Sequence, residues 1–78
     1  MKKSVLTVTQ YALPDGFCVW AVPEDGQVSF WLGHQDCDVR ELMFDVSAAF
    51  APEERWARLI EDNLPDYLED FREAWLEE

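Results

Sequence analysis

The first third of the chain alternates between apolar and polar residues with the two-residue period of β-strands. Residues 4–13 are rich in Val, Thr and Leu, and residues 28–32 show the same alternation. Residues 17–22 are apolar at every position, which predicts a central strand between these two. Turn-forming residues at 14–16 and 23–26 separate the three strands. Connections this short predict an antiparallel meander.

The second predicted strand carries two different apolar faces. Its alternating sets are Phe17, Val19 and Ala21 on one face and Cys18, Trp20 and Val22 on the other. A three-stranded sheet needs a covering layer on one face. The remaining face would carry one of these sets together with Trp31 or Phe30. It would then be either a contact patch suited to self-association or a surface covered by residues 35–50.

Residues 33–50 are compatible with two structures. Asp36 or Asp38 could serve as the N-cap of a short helix over residues 39–44. Alternatively, residues 40–46 alternate as a fourth strand. That strand would direct three side chains inward, those of Leu42, Phe44 and Val46. Of the two, we predict the short helix.

Residues 52–78 predict an amphipathic C-terminal helix. At about 100° per residue, its apolar side chains fall within an arc of roughly 120°, the width of a core-facing stripe. The stripe consists of Trp56, Ile60, Leu64, Tyr67, Leu68, Phe71, Ala74 and Trp75. We expect four of these residues to pack against the sheet, namely Trp56, Ile60, Phe71 and Trp75. The predicted fold is therefore α+β, with the helix as the covering layer.

Pro65 lies inside the predicted helix. It cannot donate a hydrogen bond to the Glu61 carbonyl group, and it disfavours helical geometry at Leu64. The apolar stripe nevertheless continues in phase across it. The sequence therefore predicts either one kinked helix or two helices with a break near residues 62–65.

The side of this helix opposite the apolar stripe is almost entirely acidic. Successive carboxylates are three or four residues apart, which places one every ~4.5–6 Å along the axis. The row consists of Asp62, Asp66, Glu69, Glu73 and Glu77, flanked by Glu61 and Asp70. Arg72 is the only basic residue after Arg58. Because like charges at this spacing repel, an uncompensated row indicates a binding function, the alternative being a solubilising face.

The chain as a whole is short and acidic. Its 78 residues are 49% apolar and carry a formal net charge of −11. We expect a single domain, with a sheet over residues 1–34, a connecting segment over residues 35–51 and the helical arm over residues 52–78. A surface of this charge repels nucleic acid and anionic membranes and attracts basic protein grooves. Direct binding to nucleic acid or to a membrane is therefore not expected.

The cysteines and the apolar runs bear on cellular location. Cys18 and Cys37 are too few to predict a disulfide framework. Polar residues interrupt the N-terminal apolar run, so no signal peptide is expected, and no stretch approaches transmembrane length. We expect a cytoplasmic protein with reduced thiols.

No arrangement of residues predicts catalysis, a metal site or a cofactor. The only mixed cluster of metal-ligating residue types is His34, Asp36, Cys37 and Asp38. It lacks the second ligand pair of a zinc site and the glycine and glutamate of a calcium loop. A Cys–His nucleophile would also need an orienting group and an oxyanion site. A polar loop with a hydrogen-bonded histidine is the simpler interpretation, and we predict a non-enzymatic protein.

The small size, the negative charge and the acidic arm, most clearly the segment LPDYLEDFREAWLEE, resemble the small phage-encoded inhibitors of bacterial defence. These are the anti-CRISPR and anti-restriction proteins that act as DNA mimics. The resemblance lies in size, charge and layout and includes no shared motif. It implies an inhibitor, an anti-CRISPR first of all, that acts in the host bacterial cytoplasm. Its partner would be a basic nucleic-acid-binding protein, such as a CRISPR effector, whose Lys/Arg-lined groove it would block.

The predicted partner-binding residues form a main group and a weaker one. The main group is Asp62, Asp66, Glu69, Asp70, Glu73 and Glu77, and the weaker one is Trp31, Glu24 and Asp25. The alternative function is a small adaptor or immunity-type protein that self-associates as a homodimer and binds its partner through sheet-face aromatics. Trp20, Phe30 and Trp31 would then form the contacts, and the acids would provide solubility. Added salt would weaken the first kind of contact much more than the second.

Overall fold

The computed structural model describes residues 8–76, and its first four elements form one antiparallel sheet. The strands are β1 (Thr9–Ala12), β2 (Phe17–Glu24), β3 (Gln27–His34) and β4 (Cys37–Ser47). They lie side by side in the order β1-β2-β3-β4, which confirms the meander and extends it by a fourth strand. Residues 4–7 of the predicted first strand lie outside the described residues.

The turns between the first three strands use left-handed backbone conformations. Asp25 and Gly26 connect β2 to β3 with φ values of 50° and 78°. This is the backbone that an Asp-Gly sequence supplies in a two-residue hairpin, because its twist matches that of the flanking strands. The β1–β2 connection contains the 3-10 turn Pro14–Gly16, in which Asp15 has a φ of 65°. Both turns therefore lie where the sequence predicts them.

The fourth strand replaces the short helix predicted over residues 39–44, and that prediction is wrong. Pairing with β3 places Phe44 opposite Phe30 and Val46 opposite Val28. These pairs extend the apolar face of the sheet, and the ring centroids of Phe30 and Phe44 are 4.9 Å apart. A capped helix would have withdrawn these side chains from the sheet. The long-range pairing therefore prevails over the local capping signal.

A β-bulge at Met43 changes which residues of β4 face the core. Phe30 pairs with Phe44, but the next residue, Trp31, pairs with Leu42. The extra residue shifts the alternation by one position. Leu42 consequently points away from the core and is 46% exposed, although the strand alternative directed it inward.

The C-terminal region is one helix that crosses Pro65 without a break. Helix α1 (Trp56–Phe71) follows the 3-10 turn Glu53–Arg55 and continues as a π-helical turn, Arg72–Leu76. The two-helix alternative therefore does not occur. Burial of the apolar stripe offsets the backbone hydrogen bond that Pro65 cannot donate.

Helix α1 covers the sheet face that carries Phe17, Val19 and Ala21. The side chains of Trp56, Ile60 and Phe71 are buried against it, as predicted. The ring of Trp56 meets Phe30 edge-on with centroids 6.2 Å apart, and Phe71 meets Phe17 in the same way at 6.2 Å. The helix therefore begins over the β2–β3 hairpin end of the sheet and ends over the opposite end.

Trp75 departs from the predicted apolar stripe. It is 42% exposed, and its Nε1 donates a hydrogen bond of 2.9 Å to Oε2 of Glu41 on β4. It therefore contacts the sheet through β4, as expected, but it is not buried in the core with Phe71. Ala74 is exposed as well. Among residues 8–76, no helix combines the length and apolar character that a membrane span requires.

Candidate functional site

The acidic row predicted from the sequence lies on the outer side of α1 and the turn that follows it. We define the acidic helix face as Asp62, Asp66, Glu69, Asp70 and Glu73, all of which are exposed. By the α-helical period the four carboxylates on α1 fall within an arc of roughly 100°. Glu73, on the π-helical turn, extends the row to ~16 Å along the axis. Glu77, the remaining residue of the predicted row, lies outside the described residues. Because α1 is unbroken at Pro65, the carboxylates project from one continuous support.

The basic residues near this face neutralise little of its charge. Nε of Arg58 lies 3.3 Å from Oδ1 of Asp62, but both side chains are mostly exposed, so the pair is weak. The guanidinium carbon of Arg72 lies 5.3 Å from the ring centroid of Phe17. Within residues 8–76, no other Arg–carboxylate pair lies within 4.0 Å. The acidic helix face therefore retains most of its negative charge.

The weaker predicted contact residues lie elsewhere on the molecule. Glu24 and Asp25 belong to the β2–β3 hairpin, at the opposite end of the sheet from Phe71 and the carboxylates beside it. Trp31 pairs with Trp20 on the sheet face that α1 does not cover. The structure therefore brings the five described helix carboxylates together but does not bring these three residues to them.

The uncovered face of the sheet is a second candidate surface. We define the open sheet face as Val8, Cys18, Trp20, Val22, Trp31, Arg40, Leu42 and Asp45. A groove of about 260 Å³ crosses it, lined by Val8, Trp20, Val22, Trp31 and Arg40. Val8 and Leu42 are 48% and 46% exposed. The face is therefore apolar at its centre and unprotected by any element within residues 8–76.

Arg40 is the residue of this face that the sequence analysis missed. Its guanidinium carbon lies 4.2 Å from the ring centroid of Trp20, a cation–π stack. The indole of Trp20 in turn lies close to Gly33, where an added Cβ would come within 2.7 Å of Cζ3. The strand alternative over residues 40–46 was the only signal for Arg40, because it placed Arg40 on the same face as Leu42. Its position opposite Gly33 follows from the pairing of β3 with β4.

A larger cleft of about 630 Å³ leads from this stack to the β3–β4 turn, where the mixed His/Asp/Cys cluster lies. His34 Nε2 donates a hydrogen bond of 2.7 Å to the Asp15 carbonyl oxygen, and its Nδ1 accepts one of 3.0 Å from the Asp36 N–H. Both ring nitrogens are therefore engaged by backbone groups of two adjacent turns. Within residues 8–76, no group of three or more His, Cys, Asp or Glu side chains is arranged to hold a metal ion.

No protein-family model, curated protein or solved structure matches this chain. The functional argument therefore depends on the geometry and charge of the two surfaces. They lie on opposite sides of the sheet, with the acidic helix face on the outside of the helical layer and the open sheet face on the other side.

Proposed function

We propose that this protein is a non-enzymatic inhibitor that binds a basic nucleic-acid-binding protein through its acidic helix face. The observation that carries the proposal is the set of five exposed carboxylates on one side of a continuous helix. A groove lined by Lys and Arg binds nucleic acid by neutralising regularly spaced phosphates. Carboxylates ~4.5–6 Å apart along a helix axis offer such a groove a comparable row of negative charge.

The target class follows from the resemblance to phage-encoded inhibitors of bacterial defence. Those anti-CRISPR and anti-restriction proteins are small, acidic and active against complexes that bind DNA or RNA. We therefore propose a CRISPR effector as the partner and the bacterial cytoplasm as the location. The inhibitor would exclude nucleic acid by occupying its groove, with no chemical step.

The packing of α1 against the sheet fixes the position of the helix that carries these charges. Trp56, Ile60 and Phe71 anchor the inner side of the helix in the core. The backbone that carries the carboxylates is consequently ordered before binding, which lowers the entropy lost on association. Their shared sign would also steer a basic partner toward this side of the molecule and accelerate association at low salt.

A double charge reversal on the helix tests this proposal. Wild-type protein should prevent purified CRISPR effector complexes from binding their target DNA in a mobility-shift assay. Asp66→Lys combined with Glu73→Lys should weaken this inhibition about 100-fold, because two attractive contacts become repulsive. Raising the salt concentration should weaken wild-type inhibition steeply.

The matched control makes the same change in net charge away from the acidic helix face. Asp38→Lys combined with Glu54→Lys alters two exposed residues on β4 and on the 3-10 turn before α1. This variant should inhibit nearly as well as wild type. Full inhibition by a folded Asp66→Lys, Glu73→Lys variant, with folding verified by circular dichroism, would exclude the acidic helix face as the binding site.

A further inference from the structure

The apolar and charged residues of the open sheet face are arranged in a pattern that the proposed function does not use. Trp20, Trp31 and Leu42 form an apolar row across β2, β3 and β4, because Trp31 pairs with both of the others. Arg40 lies on one side of this row along β4, and Asp45 lies on the other. By backbone position, the face is therefore apolar in the middle, with Arg40 toward one end of β4 and Asp45 toward the other.

Both charged residues belong to this face, but the guanidinium group of Arg40 lies over the Trp20 ring and must turn toward β4 to contact a second copy. Asp45 pairs with Ser29 and Arg40 pairs with Gly33, and residues that pair across antiparallel strands share a face of the sheet. Both charged residues are exposed. In the described part of the chain, neither lies within 4.0 Å of an opposite charge.

We propose that the open sheet face binds a second copy of this chain, with the two sheets stacked face to face. A two-fold axis between the sheets, perpendicular to the strands and crossing them near Leu42, reverses the direction of β4 in the second copy. Arg40 of each copy then lies opposite Asp45 of the other, and the row containing Trp31 and Leu42 packs against its own copy. Such an arrangement is isologous, because the same surface serves both partners.

The small area of the open sheet face limits the affinity of the dimer. Four strands at about 4.8 Å spacing and eight residues at about 3.3 Å rise give a flat area of roughly 500 Å². Stable interfaces bury about 800 Å² of accessible surface on each partner. The flat area of the open sheet face is below this value, and its protruding indoles add only part of the difference. The dimer should therefore be reversible, with a dissociation constant in the micromolar range.

The dimer is independent of the proposed inhibition because the two surfaces share no residue. Helix α1 covers the other side of each sheet, so both acidic helix faces remain outside and point away from each other. A dimer would thus present two acidic faces to basic partners. Failure of one proposal would leave the other unchanged.

Sedimentation equilibrium over a range of protein concentrations measures the self-association. Wild-type protein should pass from the mass of one chain to that of two as its concentration rises. Arg40→Glu places like charges opposite each other at both ends of β4, and Asp45→Arg does the same with the opposite sign. Each variant should raise the dissociation constant at least about tenfold.

Mixing the two charge variants provides the sharpest test. In a mixed dimer, Glu at position 40 faces Arg at position 45, and the native Arg40 of the second chain faces the native Asp45 of the first. Both contacts are again attractive, so the two variants should form a heterodimer although neither forms a homodimer. Native mass spectrometry distinguishes the heterodimer from either homodimer by mass.

Matched controls separate this contact from a change in net charge or a loss of folding. Arg55→Glu and Glu54→Arg make the same charge changes at exposed positions before α1, and their dissociation constants should match that of wild type. Leu42→Glu keeps both native charges and should also dissociate the dimer, because it places a charge in the apolar row. Circular dichroism of each variant establishes that it is folded.

Three results would overturn the proposal. The first is a wild-type protein that stays monomeric up to about 1 mM. The second is dimerisation of the folded variants, Arg40→Glu, Asp45→Arg and Leu42→Glu, as tight as that of wild type. The third is a mixture of the two charge variants that remains monomeric, which would exclude the two-fold pairing of Arg40 with Asp45.

Discussion

The two faces of the sheet are built from the same strands and similar residues, yet one is buried and the other is partly exposed. Val19 and Leu32 on the covered face are fully buried beneath α1. Trp20 and Trp31 on the other face are apolar as well but remain partly exposed. Apolar content therefore does not decide which face becomes the core. The position of the helix decides it, and one helix can cover only one face of the sheet.

The two sides of the molecule also differ in the arrangement of their charges. The acidic helix face repeats a single sign over ~16 Å, so it can attract only a partner of opposite sign. The open sheet face carries Arg40 and Asp45 on either side of an apolar row, so it is complementary to itself. This difference is the basis of the two proposals, a basic partner for the first surface and a second copy of the chain for the other.

The largest expected effect comes from truncating the same residue type on each face. Leu32→Ala removes a fully buried side chain and should lower the free energy of unfolding by about 2–5 kcal/mol, because it leaves a cavity under α1. Leu42→Ala, on the neighbouring strand, should cost less than about 1 kcal/mol in the monomer, because this side chain is 46% exposed. Urea denaturation at low protein concentration measures both values.

Two other results of the comparison between Leu32→Ala and Leu42→Ala would change this interpretation. Equal losses of stability at positions 32 and 42 would mean that both faces are covered in solution even in the monomer. A larger loss at position 42 that appears only at high protein concentration would instead point to the dimer. The difference between the two variants is more reliable than either value alone, since both remove the same atoms.

An intermediate effect is expected from Gly33→Ala. An added Cβ would lie 2.7 Å from Cζ3 of Trp20, so the indole must move and its stack with Arg40 is disturbed. We expect a loss of about 1 kcal/mol, near the lower end for overpacking because Trp20 lies on the open sheet face and can shift. Urea denaturation gives the stability, and tryptophan fluorescence reports the movement of the ring.

A double-mutant cycle isolates the contact between these two residues. In a Trp20→Ala background, Gly33→Ala should be neutral or slightly stabilising, because alanine is less flexible than glycine in the unfolded chain. An unchanged penalty in that background would show that the cost arises from the backbone at position 33 instead of from the indole.

The covered face could be predicted from the sequence because its pattern is local. The apolar stripe of α1 repeats at the helical period, and it correctly identifies Trp56, Ile60 and Phe71 as core residues. The turns were also predictable, since Asp25 and Gly26 supply the conformations that a short hairpin needs. Such signals involve residues that are close together in sequence.

The features that were missed depend on residues far apart in sequence or on irregular backbone. The bulge at Met43 turns Leu42 away from the core, and no pattern in residues 40–46 predicts this bulge. Trp75 likewise lies on a π-helical turn, where it is 42% exposed and donates a hydrogen bond to Glu41 of β4. The sequence alone does not identify Arg40 as a contact residue, because its place on the open sheet face follows from the bulge and from the pairing with β3.

The sequence predicts which residues form the acidic helix face but not whether a single helix carries them. The row of carboxylates follows from the sequence, whereas Pro65 left open whether one helix or two would carry it. Packing of the apolar stripe against the sheet resolves the question in favour of one helix. The guanidinium group of Arg72 lies over Phe17, and in residues 8–76 it forms no ion pair with these carboxylates.

The smallest expected effect concerns Tyr11 on the covered side of β1. Partial burial raises the pKa of its phenol above the ordinary value of 10.0, and the negative charge of Glu53 raises it further. The folded protein therefore holds this proton more tightly than the unfolded chain does. The corresponding stability is fully present below pH 10 and is lost as the pH rises through the folded-state pKa. We expect the free energy of unfolding to fall over this range.

Comparison with Tyr11→Phe isolates the contribution of this one phenol from all other groups that titrate at high pH. The variant lacks the ionisable hydroxyl, so its free energy of unfolding, measured in urea at about pH 8 and about pH 11, should fall less than that of wild type. Glu53→Gln should give an intermediate loss, because it removes the second cause of the shift and leaves the first. A wild-type loss no larger than that of Tyr11→Phe would mean that this phenol is as well hydrated in the folded protein as in the unfolded chain. The covered face would then end short of β1, and the contrast between the two sides of the sheet would be confined to β2, β3 and β4.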